Sequence, residues 1–70
     1  MNKEYEVTMT REEFDKISEA DGRPIMDMRN QLVDTIRADG QDPEMYDPTF
    51  YDEDPLRMKA VFNQFRIKSI

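Results

Sequence analysis

The segment QDPEMYDPTFYDEDPLRMKAVFNQFR, residues 41–66, decides how the rest of the chain is read. Its first half is acidic, aromatic and rich in proline; its second half is basic and apolar. From Asp39 to Asp54 there are seven acids (Asp39, Asp42, Glu44, Asp47, Asp52, Glu53, Asp54) and no base. From Pro55 to Ile70 there are four bases (Arg57, Lys59, Arg66, Lys68) and no acid. Asp-Pro steps at 42–43, 47–48 and 54–55 bias the residue before each proline away from helical backbone. These cues predict a loop over 41–54, with Tyr46, Phe50 and Tyr51 set among its carboxylates. After it, Asp54 as N-cap and Pro55 as first helical residue are a strong helix start. Met58, Val61, Phe62 and Phe65 then share one helical face. The expectation is a helix over residues 55–63 passing into a strand over 64–70, where Phe65, Ile67 and Ser69 alternate with Arg66, Lys68 and Ile70. A hairpin turning at Asn63-Gln64 is the alternative.

The N-terminal half is better punctuated. Tyr5, Val7 and Met9 alternate with Glu4, Glu6 and Thr8, the period of a half-buried strand. Thr10 followed by Glu13 is a capping box, and Met9 with Phe14 can form the hydrophobic staple. Phe14, Ile17 and Ala20 lie on one face of the helix that follows, Glu12 and Lys16 form an i,i+4 pair, and Gly22 is the expected left-handed stop. Pro24 opens a second helix over 24–39 with Ile25, Met28, Leu32 and Ile36 as its apolar stripe, widened by Val33, and Gly40 ends it.

Together these readings give a small single α+β domain over residues 1–70. The expected order is strand, helix, helix, acidic loop, helix, strand, with the terminal strands pairing. Two helices with a small antiparallel sheet and a C-terminal hairpin is the alternative.

Composition narrows the chemistry. The chain has 70 residues, a net charge of −6 and neither cysteine nor histidine. Disulfides and thiol chemistry are therefore excluded, as is the commonest general base. The hydroxyls of Ser18, Ser69, Thr8, Thr10, Thr35 and Thr49 have no glycine-flanked elbow and no histidine to activate them. Two glycines cannot build a phosphate loop. Asp47, Asp52, Glu53 and Asp54 are hard oxygen ligands, but their spacing does not match a calcium loop, and they read as solvated carboxylates. The expectations are no catalytic residue, no cofactor and no metal. The acidic charge disfavours nucleic acid and anionic membrane surfaces and favours a basic protein partner. No apolar run approaches membrane-spanning length and the first residues lack a signal-peptide core, so the expected compartment is cytoplasmic.

The candidate partner-binding set is Asp42, Glu44, Tyr46, Asp47, Phe50, Tyr51, Asp52, Glu53 and Asp54. The carboxylates would occupy a groove meant for phosphates, as a DNA mimic does, and the rings would serve as anchors. The expected function is a non-enzymatic protein that modulates or inhibits a basic partner, such as an enzyme or regulator that handles nucleic acid. A structural component or obligate homodimer is the alternative. In composition, though in no motif, the chain is similar to small phage-encoded proteins that disable host enzymes. One question carries much of this reading: whether the acids dock on Arg57, Lys59, Arg66 and Lys68 within the fold.

Overall fold

The computed structural model describes residues 3–66. The order is β1 (Glu4–Met9), α1 (Arg11–Glu19), α2 (Pro24–Ala38), a 3-10 turn (Pro43–Met45), β2 (Tyr46–Tyr51) and β3 (Leu56–Phe62). The strands form one antiparallel sheet in the order β1-β3-β2. The α+β class is as expected. The third helix is not present: within the segment 55–63, Leu56–Phe62 form the central strand instead.

The reason lies in two competing periods. Met58, Val61, Phe62 and Phe65 fit a helix, but Leu56, Met58, Ala60 and Phe62 fit a strand equally well. The strand wins because it places Leu56, Met58 and Ala60 in the core while its backbone pairs on both sides. Local capping at Asp54-Pro55 contributes about 1 kcal/mol, whereas each fully buried large side chain contributes about 1.5–3 kcal/mol. The Asp54–Pro55 peptide bond is cis and lies in the turn between β2 and β3.

The predicted loop likewise contains a strand, β2. Tyr46, Pro48 and Phe50 point to the helix side of the sheet, and Asp47, Thr49 and Tyr51 to the other. Pro48 is tolerated because of where its nitrogen faces. The Asn63 amide donates to the Met45 carbonyl at 2.8 Å, just beyond the Tyr46–Phe62 pair. Tyr46–Phe62 and Pro48–Ala60 are therefore the non-hydrogen-bonded pairs, and the Pro48 ring nitrogen faces the free edge. Carried across β3, the same alternation turns the backbone groups of Glu4, Glu6 and Thr8 toward the free edge of β1. Residues 64–66 form a turn rather than the predicted strand, and the hairpin turn lies at 52–55 rather than at Asn63-Gln64. The rest of that predicted strand, 67–70, lies outside the described residues.

The core is built on α2. Pro24, Met28, Leu32 and Ile36 recur every four residues and are buried against β1 and β3. Ile25, expected in this stripe, is instead 46% exposed, because Pro24 continues the four-residue row that Ile25 leaves. Around them pack Tyr5, Met9, Tyr46, Leu56, Met58 and Ala60. Tyr46 meets Tyr5 and Phe62 edge-on, with ring centroids 5.3 and 5.6 Å away, a favoured aromatic arrangement. By contrast α1 buries no residue fully; Phe14 and Ile17 lean on the core from its margin.

Both helices end in the same motif, with different residues at its strained position. In α2 the Gln41 amide reaches the Ile36 carbonyl (3.1 Å) and Gly40 reaches Arg37 (2.9 Å), with Gly40 at φ 78°. In α1 the Gly22 amide reaches Ile17 (2.8 Å) and Asp21 reaches Ser18 (3.1 Å), with Asp21 at φ 59°. This is the Schellman pattern. The left-handed residue is Asp21, not Gly22 as the sequence suggested. Gly22 is required for space: a Cβ there would lie 2.6 Å from Ile17 Cγ2 and 2.8 Å from the Ile17 carbonyl oxygen.

Candidate interaction surface

Folding the acidic segment as 3-10 turn, strand and hairpin turn distributes its residues over three places. Asp42 caps the 3-10 turn, its carboxylate accepting from the Glu44 amide at 3.0 Å, and Glu44 stands exposed on that turn. Tyr46 and Phe50 face inward. Tyr46 is 4% exposed, and Phe50 is half-buried against the core. Neither ring is the exposed anchor the sequence predicted. They are core because the strand's two-residue period turns them to the helices.

Asp47, Thr49 and Tyr51 share the open face of the sheet with Glu4, Glu6, Thr8, Arg57, Lys59 and Val61. That face is a lattice of opposite charges. Lys59 meets Glu4 at 2.6 Å, and Arg57 meets Glu6 and Glu53 at 3.0 Å each. The Arg57 guanidinium also lies 4.4 Å from the centre of the Tyr51 ring, within cation–π range. Asp47 accepts from Asn63 Nδ2 at 2.7 Å and Arg66 Nη1 at 2.5 Å. Arg66, then Asn63, holds its carboxyl below the ordinary aspartate range. The C-terminal bases thus neutralise part of the acidic segment within the fold: Arg57 takes Glu53 and Arg66 takes Asp47. Lys59 is engaged by β1 instead, and Lys68 lies outside the described residues.

Asp52, Glu53 and Asp54 remain together on the β2–β3 turn, all exposed. This turn abuts the first turn of α1. Arg11 Nη2 donates to Asp52 at 2.5 Å, and the Arg11 guanidinium is raised above its ordinary pKa by Asp52 first, with Asp15 and Asp54 adding to the field. Asp15 therefore joins Asp52 and Asp54 around a single arginine, and Glu12 and Glu13 stand exposed on the same helix turn. Asp15 lies outside the set that the sequence points to. Its acidic spacing on α1 was visible, but its approach to residues nearly 40 positions later depends on the turn between β2 and β3.

A second network ties β1 to the end of α2. Lys3 Nζ lies 2.8 Å from Asp39, and the Tyr5 hydroxyl donates to the same carboxylate. Lys3 and Tyr5 hold the Asp39 carboxyl below its ordinary range. Burial first, then Asp39, pushes the Tyr5 phenol upward, so it remains a donor. Among the described residues no three carboxylates converge on a point where a metal ion would sit. No described helix is long and apolar enough to cross a membrane.

Compared with known proteins, the chain matches no family model, no curated protein and no solved structure.

Proposed function

We propose that this chain is a non-enzymatic binding protein that modulates or inhibits a protein with a basic surface, such as one that handles nucleic acid. Its contact surface is the acidic end formed by Asp52, Glu53 and Asp54 with Glu12 and Asp15. The observation that carries this reading is the gathering of Glu12, Asp15, Asp52, Glu53 and Asp54 about only three bases, Arg11, Lys16 and Arg57. Three bases cannot neutralise five carboxylates, and exposed ion pairs of this kind contribute little to stability. Charge kept on a tight turn without a structural need acts outward, steering a basic partner and accelerating association.

The test begins with capture. Immobilised parent chain and the triple variant Asp52→Asn, Glu53→Gln, Asp54→Asn are exposed to the same lysate, and retained proteins are identified by mass spectrometry. A captured protein is then purified for binding kinetics at two salt concentrations. The triple variant should lower the association rate, with the difference shrinking as salt rises. Duplex DNA should compete for the same protein. If parent and variant retain the same proteins and bind them equally fast, the acidic end is solvated surface and the reading is lost.

A specific observation also favours a second reading, a homodimer. The edge of β1 carries no proline, and no backbone hydrogen bond links it to another element among the described residues. β2, at the other edge, is blocked by Pro48. Two copies of β1 related by a two-fold axis at Val7 would pair Glu6 with Thr8 rather than with another Glu6, and would cover the half-exposed Val7. Sedimentation equilibrium decides it: the mass of one chain at all concentrations removes this reading.

A further inference from the structure

At the opposite end of β2 from the acidic turn, a cleft of about 290 Å³ opens between α2 and the start of β2. Its wall on α2 is the row Arg29, Val33 and Arg37, each one turn from the next. Its accessible apolar lining is Val33, Pro43 and Pro48, over the almost fully buried Leu32, Ile36, Tyr46 and Ala60. Arg66 closes the rim, with Pro43 and Glu44 opposite. In a chain of net charge −6, three of the ten basic residues are gathered on one small cleft.

Two of these arginines have no internal task. Arg66 is engaged by Asp47 at 2.5 Å, but neither Arg29 nor Arg37 makes an ion pair among the described residues. They stand about 12 Å apart along the helix, eight residues at 1.5 Å each, and flank Val33. The site therefore offers a rim where Arg29 and Arg37 outweigh Glu44, with the apolar surface of Val33, Pro43 and Pro48 between them.

We infer that this cleft binds a small organic anion with an apolar body, an aryl or short acyl carboxylate. The arginine forks recognise the carboxylate, for which their planar donors are suited, while Val33, Pro43 and Pro48 take the hydrocarbon. An inorganic anion would leave Val33, Pro43 and Pro48 uncovered, and a neutral hydrophobe would leave the guanidinium groups without a counter-charge. The volume lies at the lower limit of small-molecule sites, about 300 Å³, which suits a compact ligand rather than a length of peptide. This inference is independent of the acidic end and of any protein partner.

The experiment is a titration of the isotopically labelled chain, followed by amide chemical shifts. The probes are 2-naphthoate, the neutral isostere 2-naphthamide, and acetate. Naphthoate should give saturable shifts centred on Val33, Ile36, Tyr46 and Ala60, and should bind at least tenfold more tightly than either comparator. The double variant Arg29→Gln, Arg37→Gln should lose at least tenfold in naphthoate affinity while staying folded, its melting temperature falling by only a few degrees as the last turn of α2 loses the Arg37 charge. Arg23→Gln, outside the cleft lining, should stay within twofold. Shifts centred elsewhere, equal binding of naphthamide, or unaltered affinity in the double variant would each overturn the inference. A short glutamate- and phenylalanine-containing peptide binding more tightly than naphthoate at the same amides would also overturn it, assigning the cleft to a protein partner.

Discussion

Replacing Gly22 with alanine should destabilise the protein, although alanine is the better helix former. The added Cβ would lie 2.6 Å from Ile17 Cγ2 and 2.8 Å from the Ile17 carbonyl oxygen. The side chain of Ile17 can rotate, but the carbonyl accepts the Gly22 amide at 2.8 Å and cannot retreat without breaking that bond. Overpacking of this kind costs about 1–3 kcal/mol. Asp21→Gly should act in the opposite direction. Relief of the left-handed backbone is worth about 1–2 kcal/mol for an ordinary side chain, and loss of a carboxylate at a helix C-terminus adds about 0.3–1 kcal/mol. The greater freedom of the unfolded chain removes about 0.4–1 kcal/mol. The balance is a gain of about 1 kcal/mol, or about 4–8 °C in melting temperature for a domain of this size. Gly40 supplies an internal control. A Cβ there meets nothing within 4 Å, yet φ is 78°; Gly40→Asn should be tolerated better than Gly40→Ala, whereas Gly22→Asn should be no better than Gly22→Ala. Thermal unfolding followed by far-ultraviolet circular dichroism reads all of these. A melting temperature unchanged or raised by Gly22→Ala, or lowered by Asp21→Gly, would refute the assignment of the two roles.

The same method separates the two helices: Leu32→Ala, at a position 2% exposed, should cost about 2–5 kcal/mol, while Ile17→Ala at the margin of the core should cost less than half as much. Equal losses would mean that α1 is as central as α2. Thr10→Ala removes the acceptor for the Glu13 amide, now at 3.1 Å, and should cost about 1 kcal/mol; an unchanged midpoint in urea would show that the cap contributes nothing. Asp39 and Asp47 are both held below the ordinary aspartate pKa in the folded chain. The unfolded chain therefore binds more protons in the acid range, and this stabilisation is present above the unfolded pKa and is lost as pH falls through the folded value. Asp39→Asn should lower stability at pH 7 and make its decline between pH 5 and pH 3 shallower; urea midpoints across that range would contradict this if the slope were unaltered.

The electrostatic pattern answers the question the sequence raised about its own charge. The bases of β3 are consumed on the open face, so the acidic segment is partly neutralised. What survives is divided along β2, with carboxylates at the hairpin turn and, at the strand's beginning, Arg29 and Arg37 of α2 facing Glu44 across the cleft. Net charge alone described neither end. Composition reports a sum over the chain, while a partner or a ligand meets charges where the register of a strand has put them.

Much of the N-terminal half was legible because its signals are local. Thr10, Pro24 and Gly40 act on backbone groups within a few residues, and the row Met28, Leu32, Ile36 follows from helical geometry alone. The alternation of Tyr5, Val7 and Met9 made β1 equally plain. Residues 46–62 were different. There the sequence supports a helix by its caps and a strand by its alternation, and the choice belongs to partners far along the chain. β1 needs a neighbour to pair with, α2 needs an apolar surface to cover, and a strand at 56–62 satisfies both, whereas a helix would leave β1 unpaired. That non-local demand converted a predicted acidic loop into an edge strand and turned Tyr46 and Phe50 from anchors into core. It also brought Asp52 to Arg11 and set Arg66 near Arg29 and Arg37. Backbone punctuation is settled within a turn or two of chain, but which face a strand presents, and which distant charges share a surface, is settled only by what it packs against.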